Sequence, residues 1–277
     1  MITTCIAAYN NLSYLKLAIR SVRTYSHFKD MPFIVYAENC DDGTDEWLKD
    51  NASDYNLTYY IEHNEVASGI GGGMNFCADR VNTEFINFIH ADFFVSKNWD
   101  LELYNIFEKY PTEKLWVNSH RIEPNMFEGQ SRPGTIMVSK DHFGELHTNF
   151  NEDFFIEWAE QFTKLNDFEI PKGEGVSCLI RKCDWDEIGG NDDRFAPAWW
   201  EDFDLFLRML QSGFRFVLPS KSLVYHFGAR SSHFPNDDFT GQSSRSHEYE
   251  PAGAQKFHAK WGGLPKFNEY GFICGIE

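Results

Sequence analysis

The sequence predicts an α/β protein with a mostly parallel β-sheet that is flanked by helices. Short, almost wholly apolar segments alternate with segments of helical periodicity through the first part of the chain. Strands of that composition are typical of a parallel sheet that is buried on both faces. In addition, 42% apolar and 17% aromatic residues in a chain of 277 supply the core of one large domain, or of one domain with a sizeable insertion.

The predicted elements follow in regular order up to residue 91. Apolar runs predict strands at ITTCIAAY, PFIVYAE, LTYYIEH and EFINFIHA. Helical spacing predicts helices at NLSYLKLAIRSVRTY, DEWLKDNA and MNFCADRVN, of which the second follows the turn CDDGT and the third follows the glycine run SGIGGG. We therefore expect successive strand–helix units.

The pattern is less regular between residues 100 and 175. LELYNIFEKY and NFNEDFFIEWAEQFTKL are predicted helices, whereas NSHRIEPNMFEGQSRPG has the composition of a long loop. The regular pattern resumes with GVSCLIRKCDWDEIGG and WWEDFDLFLRMLQSGFRFVLP. From Ser231 onward we expect an extended tail with one helix, PAGAQKFHAKWG.

The charge and composition exclude several classes of protein. A net charge of −17 repels polyanions, so we expect no nucleic-acid partner and no anionic membrane surface. No apolar run approaches the ~20 residues that span a bilayer, and MITTCIAAYNN lacks the basic region of a signal peptide. The cysteines show no CxxC pair, which favours reduced thiols in a cytoplasmic protein. They are Cys5, Cys40, Cys77, Cys178, Cys183 and Cys274.

Polar residues gather at the predicted carboxyl ends of the strands, the edge where such sheets bind ligands. His90 and Asp92 are two positions apart, so on a strand they would face one cavity as potential metal or proton ligands. The other residues at these ends are Tyr9, Asn10, Glu38 and the glycines at 69 and 71–73.

A second group of charges begins the helix in WWEDFDLFLR. Glu201 and Asp202 lie in its first turn, where the helix dipole stabilises carboxylates. Asp204 and Arg208 are four residues apart and are expected to pair on one face.

These segments resemble the family 2 glycosyltransferases. CIAAYNNLSYLKLAIRSV, VYAENCDDGTDEWL and GIGGGMNFCADRVNTEFINFIHAD resemble that family's first strand and helix, its Asp-Gly-Thr turn, and its glycine-rich helix followed by a DxD motif. IGGNDDRFAPAWWEDFDLFLRMLQSGFRFVLPSKSLVYHFG resembles its second half, with the ED motif and a late His. The resemblance covers residues 1–110 and 174–230.

The resemblance implies a GT-A fold, which is a Rossmann-like sheet, and an inverting, metal-dependent transfer of sugar from a nucleotide-sugar to an acceptor hydroxyl. A UDP-sugar is the favoured donor, and a glycan, a lipid-linked molecule or another hydroxyl compound is the acceptor. We expect a domain at 1–230, with a nucleotide-sugar half at 1–110 and an acceptor half at 111–230. The acceptor should lie against residues 118–172 and the tail at 231–277, which is expected to pack on the active-site face.

The resemblance also assigns residues. Asp202 is the expected general base and Glu201 is expected to position the acceptor, while Trp199 and Trp200 form either a sugar platform or part of the core. The expected metal ligands are Asp92, His226 and His90, and two imidazoles with one carboxylate favour Mn²⁺ over Mg²⁺. Tyr9 is expected to stack on the base, and Glu38 to accept a hydrogen bond from the base or ribose. The full donor-binding set is Ala8, Tyr9, Asn10, Glu38, Gly69, Gly72, Asn75, His90 and Ala91.

The sequence departs from the family pattern at three positions. His90 replaces the first Asp of DxD, Ala37 replaces the acid at the end of the second strand, and Met74 replaces an Arg that often follows the glycine run. One alternative is therefore a non-catalytic nucleotide- or sugar-binding protein. Others are a nucleotidyltransferase, for which AAYNNLSYLK lacks the basic glycine-rich signature, and a glycosyltransferase of modified nucleic acid, which the net charge opposes.

Overall fold

A computed structural model describes residues 1–126, 132–173, 175, 177–228, 230 and 244–277. The main sheet of this part of the chain has eight strands in the order β3-β2-β1-β4-β10-β6-β11-β9, and a second sheet has the order β5-β12-β7-β8. The strands are β1 Ile2–Ala8, β2 Phe33–Glu38, β3 Thr58–Glu62, β4 Phe85–Phe88, β5 Phe93–Val95, β6 Leu115–Asn118, β7 His120–Asn125, β8 Ile136–Ser139, β9 Glu169–Ile170, β10 Cys178–Arg181, β11 Arg215–Pro219, β12 Leu223–His226, β13 Pro265–Phe267 and β14 Ile273–Ile276.

Helices cover the main sheet and connect its strands. They are α1 Leu12–Tyr25, α2 Thr44–Asn51, α3 Gly69–Ala78, α4 Trp99–Lys109, α5 Lys140–Phe143, α6 Glu152–Leu165, α7 Lys182–Ile188, α8 Glu201–Gln211 and α9 Ser244–Trp261, with a 3₁₀ turn at Asp193–Phe195. Among the described residues, no helix has both the length and the apolar character needed to cross a bilayer. The six cysteines form no disulfide.

The predicted α/β fold is confirmed. β1 pairs in parallel with β2 on one side and with β4 on the other, and β2 pairs in parallel with β3. Burial on both faces explains the apolar runs, because Ile6 packs into the core cluster on one face of the sheet and Cys5 into the cluster on the other. β10 then enters antiparallel between β4 and β6.

The prediction of a long loop in NSHRIEPNMFEGQSRPG is wrong for the first part of that segment. The structure places β7 at His120–Asn125, paired in parallel with both β12 and β8. Residues 127–131 of the segment lie outside the described residues. Burial stabilises the strand, since Ile122 is fully buried and Glu123 is 3% exposed. The charges and Pro124 hide it in the sequence, since they interrupt the alternation that predicts a strand.

A second difference concerns His90 and Asp92, which were expected on a strand. β4 ends at Phe88, and the two residues lie in the connection to β5. β5 pairs antiparallel with β12, and His226 stands opposite Phe93 in that register. The second sheet therefore brings His226 to the residue that follows Asp92.

The C-terminal segment contributes to the core. Phe257 of α9 is fully buried and packs, with Phe272, in the same cluster as Phe206 of α8. Burying one such aromatic side chain contributes roughly 1.5–3 kcal/mol. The hairpin of β13 and β14 was not predicted from the sequence. The tail expected at residues 231–243 lies outside the described part of the chain, and the boundary at 230 stays a prediction.

A buried carboxylate connects α9 to α8. Asp204 is fully buried and accepts from Arg208 Nε at 2.8 Å, the pair expected from the sequence. Lys260 Nζ lies 2.5 Å from the other oxygen of Asp204, and Trp261 Nε1 donates to that oxygen at 2.9 Å. Lys260 also reaches Asp192 at 2.7 Å. Asp204 thus holds α8 and α9 together, and Lys260 extends the contact to Asp192, just before the 3₁₀ turn.

Replacing Asp204 by Ala should lower the free energy of unfolding by about 3 kcal/mol, because it leaves the largely buried Arg208 without its carboxylate and removes one of the two carboxylates that Lys260 contacts. Asp186→Ala is the matched control: Asp186 pairs with Lys182, but its side chain is 55% exposed, so the loss should stay within about 0.5 kcal/mol. Urea unfolding measures both. Equal losses in the two variants would contradict the role assigned to Asp204.

Candidate active site

Three potential metal ligands meet where the two sheets join. The ligand atoms of His90, Asp92 and His226 all lie within 4.8 Å of one another. Asp92 Oδ1 is 3.8 Å from His90 Nδ1, and Asp92 Oδ2 is 3.4 Å from His226 Nε2. Phe93 fixes both rings, stacking on His90 at 5.1 Å between centroids and meeting His226 edge-on at 4.6 Å. The expected metal residues therefore form one cluster.

Burial and neighbouring groups determine the protonation states of His90 and Asp92. Burial lowers the pKa of His90 to about 4 despite the opposing charge of Asp92, so this imidazole is neutral and can donate a lone pair. Burial acts to raise the pKa of Asp92, but the charge of His226, a hydrogen bond from His226 and the N–H of Arg230 outweigh it and hold that pKa well below its usual range. One carboxylate with imidazole nitrogens suits a transition-metal dication.

Glu123 of β7 belongs to the same cluster, although no sequence motif indicated it. Its Oε1 lies 2.7 Å from His226 Nδ1. Arg132 Nη1 donates to both carboxylate oxygens, at 3.2 and 2.9 Å, and Arg121 lies 3.4 Å away. Burial acts to raise the pKa of Glu123, but Arg121, His226 and Arg132 together hold it well below its usual range. Only recognition of β7 as a strand paired with β12 could have placed it here.

Glu38 ends β2 and lies at the start of α3. Its Oε1 accepts from Asn64 Nδ2 and Ser68 N, and its Oε2 accepts from Ser68 Oγ and Gly69 N, at distances between 2.8 and 3.1 Å. Burial acts to raise its pKa, but these four donors outweigh burial and lower it. All four acceptor positions of the carboxylate are used. A nucleotide can bind Glu38 only by displacing one of these donors.

The glycine-rich start of α3 packs closely against the protein itself. Gly69 has φ +69°, and a Cβ there would lie 1.4 Å from the carbonyl oxygen of Pro197, so only glycine fits. Asn75 pairs through its amide with the backbone of Asn191, donating at 2.9 Å and accepting at 2.8 Å. A groove of about 720 Å³ runs beside this contact, with Ser68, Gly72, Asn75, Phe76, Trp185, Gly190 and Asp193 in its lining.

The remaining donor-binding candidates lie in the connections after β1 and β4. Ala8 is the last residue of β1, and Asn10 follows in left-handed conformation with φ 55°. Asn10 Oδ1 accepts from Asp41 N at 2.9 Å, which joins the two loops at this edge. Tyr9 is half-buried between them, and Ala91 separates His90 from Asp92. These residues share the carboxyl edge of the sheet, where the sequence placed them.

Glu201 and Asp202 open α8, as expected. Asp202 Oδ1 accepts from Phe203 N at 2.8 Å. Glu201 Oε2 is buried and has no hydrogen-bond partner among the described residues. Burial and the neighbouring charge of Asp202 raise the pKa of Glu201 to about 8, so Glu201 keeps its proton at neutral pH. Gly71 faces it, since a Cβ on Gly71 would lie 3.5 Å from Glu201 Cγ.

Trp199 and Trp200 precede this pair in a strained backbone. Both have left-handed φ values, 78° and 77°, which is rare for bulky side chains. Trp200 packs against α9: a Cβ on Gly253 would lie 2.3 Å from its ring, and Phe257 is 5.5 Å away between centroids. Of the two sequence readings, core packing therefore describes Trp200.

Comparison with known proteins shows the family. The model of glycosyl transferase family 2 matches residues 3–176, and that of glycosyltransferase-like family 2 matches residues 137–247. Among curated proteins, none matches this chain. Similar solved structures include GalNAc-T7 with UDP, GalNAc and Mn²⁺ (14% identity, TM-score 0.60, 82% of this chain and 43% of that one) and TarS 1-349 of S. aureus (14% identity, TM-score 0.53, 81% and 60%).

This chain therefore spans less than two thirds of either of those chains. At such low identity the structures establish the fold, which is that of GT-A glycosyltransferases. The first family model covers more than half of the 277 residues. The chain belongs to glycosyl transferase family 2.

Proposed function

We propose that this chain is an inverting, metal-dependent glycosyltransferase that moves a sugar from a nucleotide-sugar, preferentially a UDP-sugar, to an acceptor hydroxyl. The observation that carries the proposal is the cluster of His90, Asp92 and His226 in a family 2 chain whose α8 begins with Glu201 and Asp202. The structurally similar GalNAc-T7 holds UDP and Mn²⁺, which supports both the donor and the cation.

The cluster fits a divalent cation. It combines an ionised, buried carboxylate with a neutral imidazole and a second imidazole, and the three converge within 4.8 Å. When bound, the cation supplies positive charge to the diphosphate that leaves. The two histidines favour Mn²⁺ over Mg²⁺, because Mg²⁺ prefers oxygen ligands.

The two carboxyl groups of α8 divide the chemistry of the acceptor. Asp202 accepts the acceptor's hydroxyl proton as that oxygen attacks the sugar carbon, and the bond from this carbon to the phosphate oxygen breaks with its electron pair leaving on the diphosphate. A single displacement inverts the sugar carbon. Glu201 keeps its proton at neutral pH and donates a hydrogen bond that orients the acceptor.

The donor lies along the carboxyl edge of the sheet in this proposal, held by Ala8, Tyr9, Asn10, Glu38, Gly69, Gly72, Asn75, His90 and Ala91. Trp199 lines the acceptor side, with residues 118–172 and the C-terminal segment from 231. A glycan, a lipid-linked molecule or another hydroxyl compound would be the acceptor.

We also propose a cytoplasmic location. The support for it is that the six cysteines are free thiols, as is usual in a reducing compartment.

A second candidate is a protein of the same fold that binds a nucleotide or sugar without catalysis. The observation that favours it is His90, which stands where the family's motif has its first Asp. Donor hydrolysis separates the two candidates, because only the enzyme releases nucleoside diphosphate faster with Mn²⁺ than without it.

Nucleotide and metal should bind together. In a thermal-shift screen of UDP, GDP, dTDP and CDP, each with Mn²⁺ or Mg²⁺, UDP with Mn²⁺ should stabilise the protein most. A ligand at 100 times its dissociation constant adds about 2.7 kcal/mol. Asp92→Ala should remove the metal-dependent part of the UDP effect. Unchanged binding of UDP and Mn²⁺ in that variant would rule out this metal centre.

Asp202→Asn should lower turnover by roughly 10²- to 10⁴-fold, which is the usual contribution of a general base, and leave donor affinity nearly unchanged. Glu201→Gln keeps a hydrogen-bond donor, so its effect should be smaller and fall mainly on acceptor affinity. Steady-state kinetics with donor and acceptor varied in turn distinguish the two. Near-normal turnover of folded Asp202→Asn would place the base elsewhere.

The free energy of unfolding should decrease as the pH rises, because Glu201 then loses the proton that it holds in the folded state. Its pKa is raised from 4.5 to about 8 on folding, so the folded state binds this proton more tightly than the unfolded chain does. The stabilisation that this proton gives the folded state is complete below about pH 4.5 and is lost progressively up to about pH 8. Urea unfolding across this range should show a shallower decline for Glu201→Gln. If the wild type and Glu201→Gln lose stability in parallel across this pH range, the pKa of Glu201 is not raised on folding.

A further inference from the structure

We propose that Glu123 is a positioning residue for the metal centre: it accepts a hydrogen bond from His226 Nδ1–H and so directs the other ring nitrogen, Nε2, toward Asp92 and the cation. The inference rests on the proposed metal site and adds a residue that the family motifs do not include. It concerns the hydrogen bond that orients His226, one of the proposed metal ligands.

The two nitrogens of His226 have separate partners. Nδ1 lies 2.7 Å from Glu123 Oε1, and Nε2 lies 3.4 Å from Asp92 Oδ2. A carboxylate can only accept, so Nδ1 carries the proton in this contact. With Nδ1 engaged in this way, Nε2 is the ring nitrogen that remains to bind a cation, on the side where the other two ligands converge. Rotating the ring by half a turn would break the hydrogen bond to Glu123.

Glu123 is itself fixed. It is 3% exposed, and Arg132 bonds both of its oxygens while Arg121 lies 3.4 Å away. A buried carboxylate needs such partners, and these leave Oε1 facing the imidazole. The side chain therefore has one well-determined position rather than a choice of rotamers.

The pairing of β7 with β12 also fixes the positions of Glu123 and His226. β7 and β12 pair in parallel, with Ile122 beside Tyr225, which brings the next residues of both strands together. Ile122 and Tyr225 are fully buried in one core cluster, so Glu123 and His226 point to the opposite face of the second sheet. Residues held on paired strands keep a catalytic or metal-binding geometry better than residues on loops.

Losing such a carboxylate partner of a metal-bound histidine typically costs 10–100-fold in metal affinity. Two substitutions separate position from charge. Glu123→Gln keeps the shape and removes the charge. Glu123→Asp keeps the charge, but its shorter side chain draws the oxygen away from Nδ1. If Glu123 acts by position, Glu123→Asp should bind Mn²⁺ at least about 10-fold more weakly than the wild type, and Glu123→Gln, whose amide oxygen can still accept from Nδ1–H, should lose less affinity than Glu123→Asp.

The measurement is titration of the metal-free 277-residue chain with Mn²⁺, with free Mn²⁺ followed by electron paramagnetic resonance. Glu152→Gln is the matched control, since Glu152 is also held by an arginine, Arg20, at 3.0 and 2.5 Å, and by Tyr25 at 2.7 Å. It should leave Mn²⁺ affinity within twofold of the wild type. Thermal melting in EDTA shows whether each variant is folded.

The outcomes separate this inference from the proposed function. If the wild type binds no Mn²⁺, the proposed metal centre fails first. If the wild type binds Mn²⁺, Asp92→Ala abolishes binding, and Glu123→Asp binds like the wild type, the role of Glu123 alone is overturned. Should neither variant fold, a crystal structure of the wild type with Mn²⁺ decides: Glu123 must remain within hydrogen-bond distance of Nδ1 while Nε2 contacts the ion. Any other arrangement overturns the inference.

Discussion

The arrangement of the site depends on the register between β5 and β12. His226 stands opposite Phe93, one residue after Asp92, because these two short strands pair antiparallel. A slip by one residue would turn every side chain of β12 to the other face of the sheet. His226 would then exchange places with Tyr225 and enter the apolar cluster around Phe143 and Phe155. The buried aromatic residues of that cluster resist the exchange, so core packing fixes the position of a polar ligand.

The carboxyl group of Glu201 differs from those of Glu38, Glu123 and Asp204. Glu38, Glu123 and Asp204 each accept from several donors within the chain and stabilise a helix start, a ligand or a helix pair. Glu201 lies beside Asp202 and has one buried oxygen without a partner in the described part of the chain. Burial and the charge of Asp202 raise the pKa of Glu201. An unsatisfied acid costs stability, and such costs are usually tolerated where a substrate supplies the missing partner.

The sequence predicted the parallel half of the fold because each strand there is apolar on both faces and each helix has a clear period. It also predicted that Asp92 and His226 would lie together and that Glu201 and Asp202 would begin a helix, and the structure shows both arrangements. It missed β7, since HRIEPN shows no alternation, and with it Glu123. It left Trp200 undecided, because a residue pattern does not show whether another segment covers a ring. The contact with Gly253 joins positions far apart in the chain, and only the folded structure reveals it.

The contact between Trp200 and α9 has a consequence for the order in which the protein becomes functional. During synthesis, the family motifs named above have all been added to the chain soon after His226, before α9 is made. At that moment Trp199 and Trp200 still lack the helix that supports their left-handed backbone, a conformation that costs of order 1–3 kcal/mol per residue. A nascent chain would therefore relax this turn, and the start of α8 with it. The carboxyl pair would reach its final geometry only after Gly253 and Phe257 have docked, so that a helix made later in synthesis completes the first turn of α8.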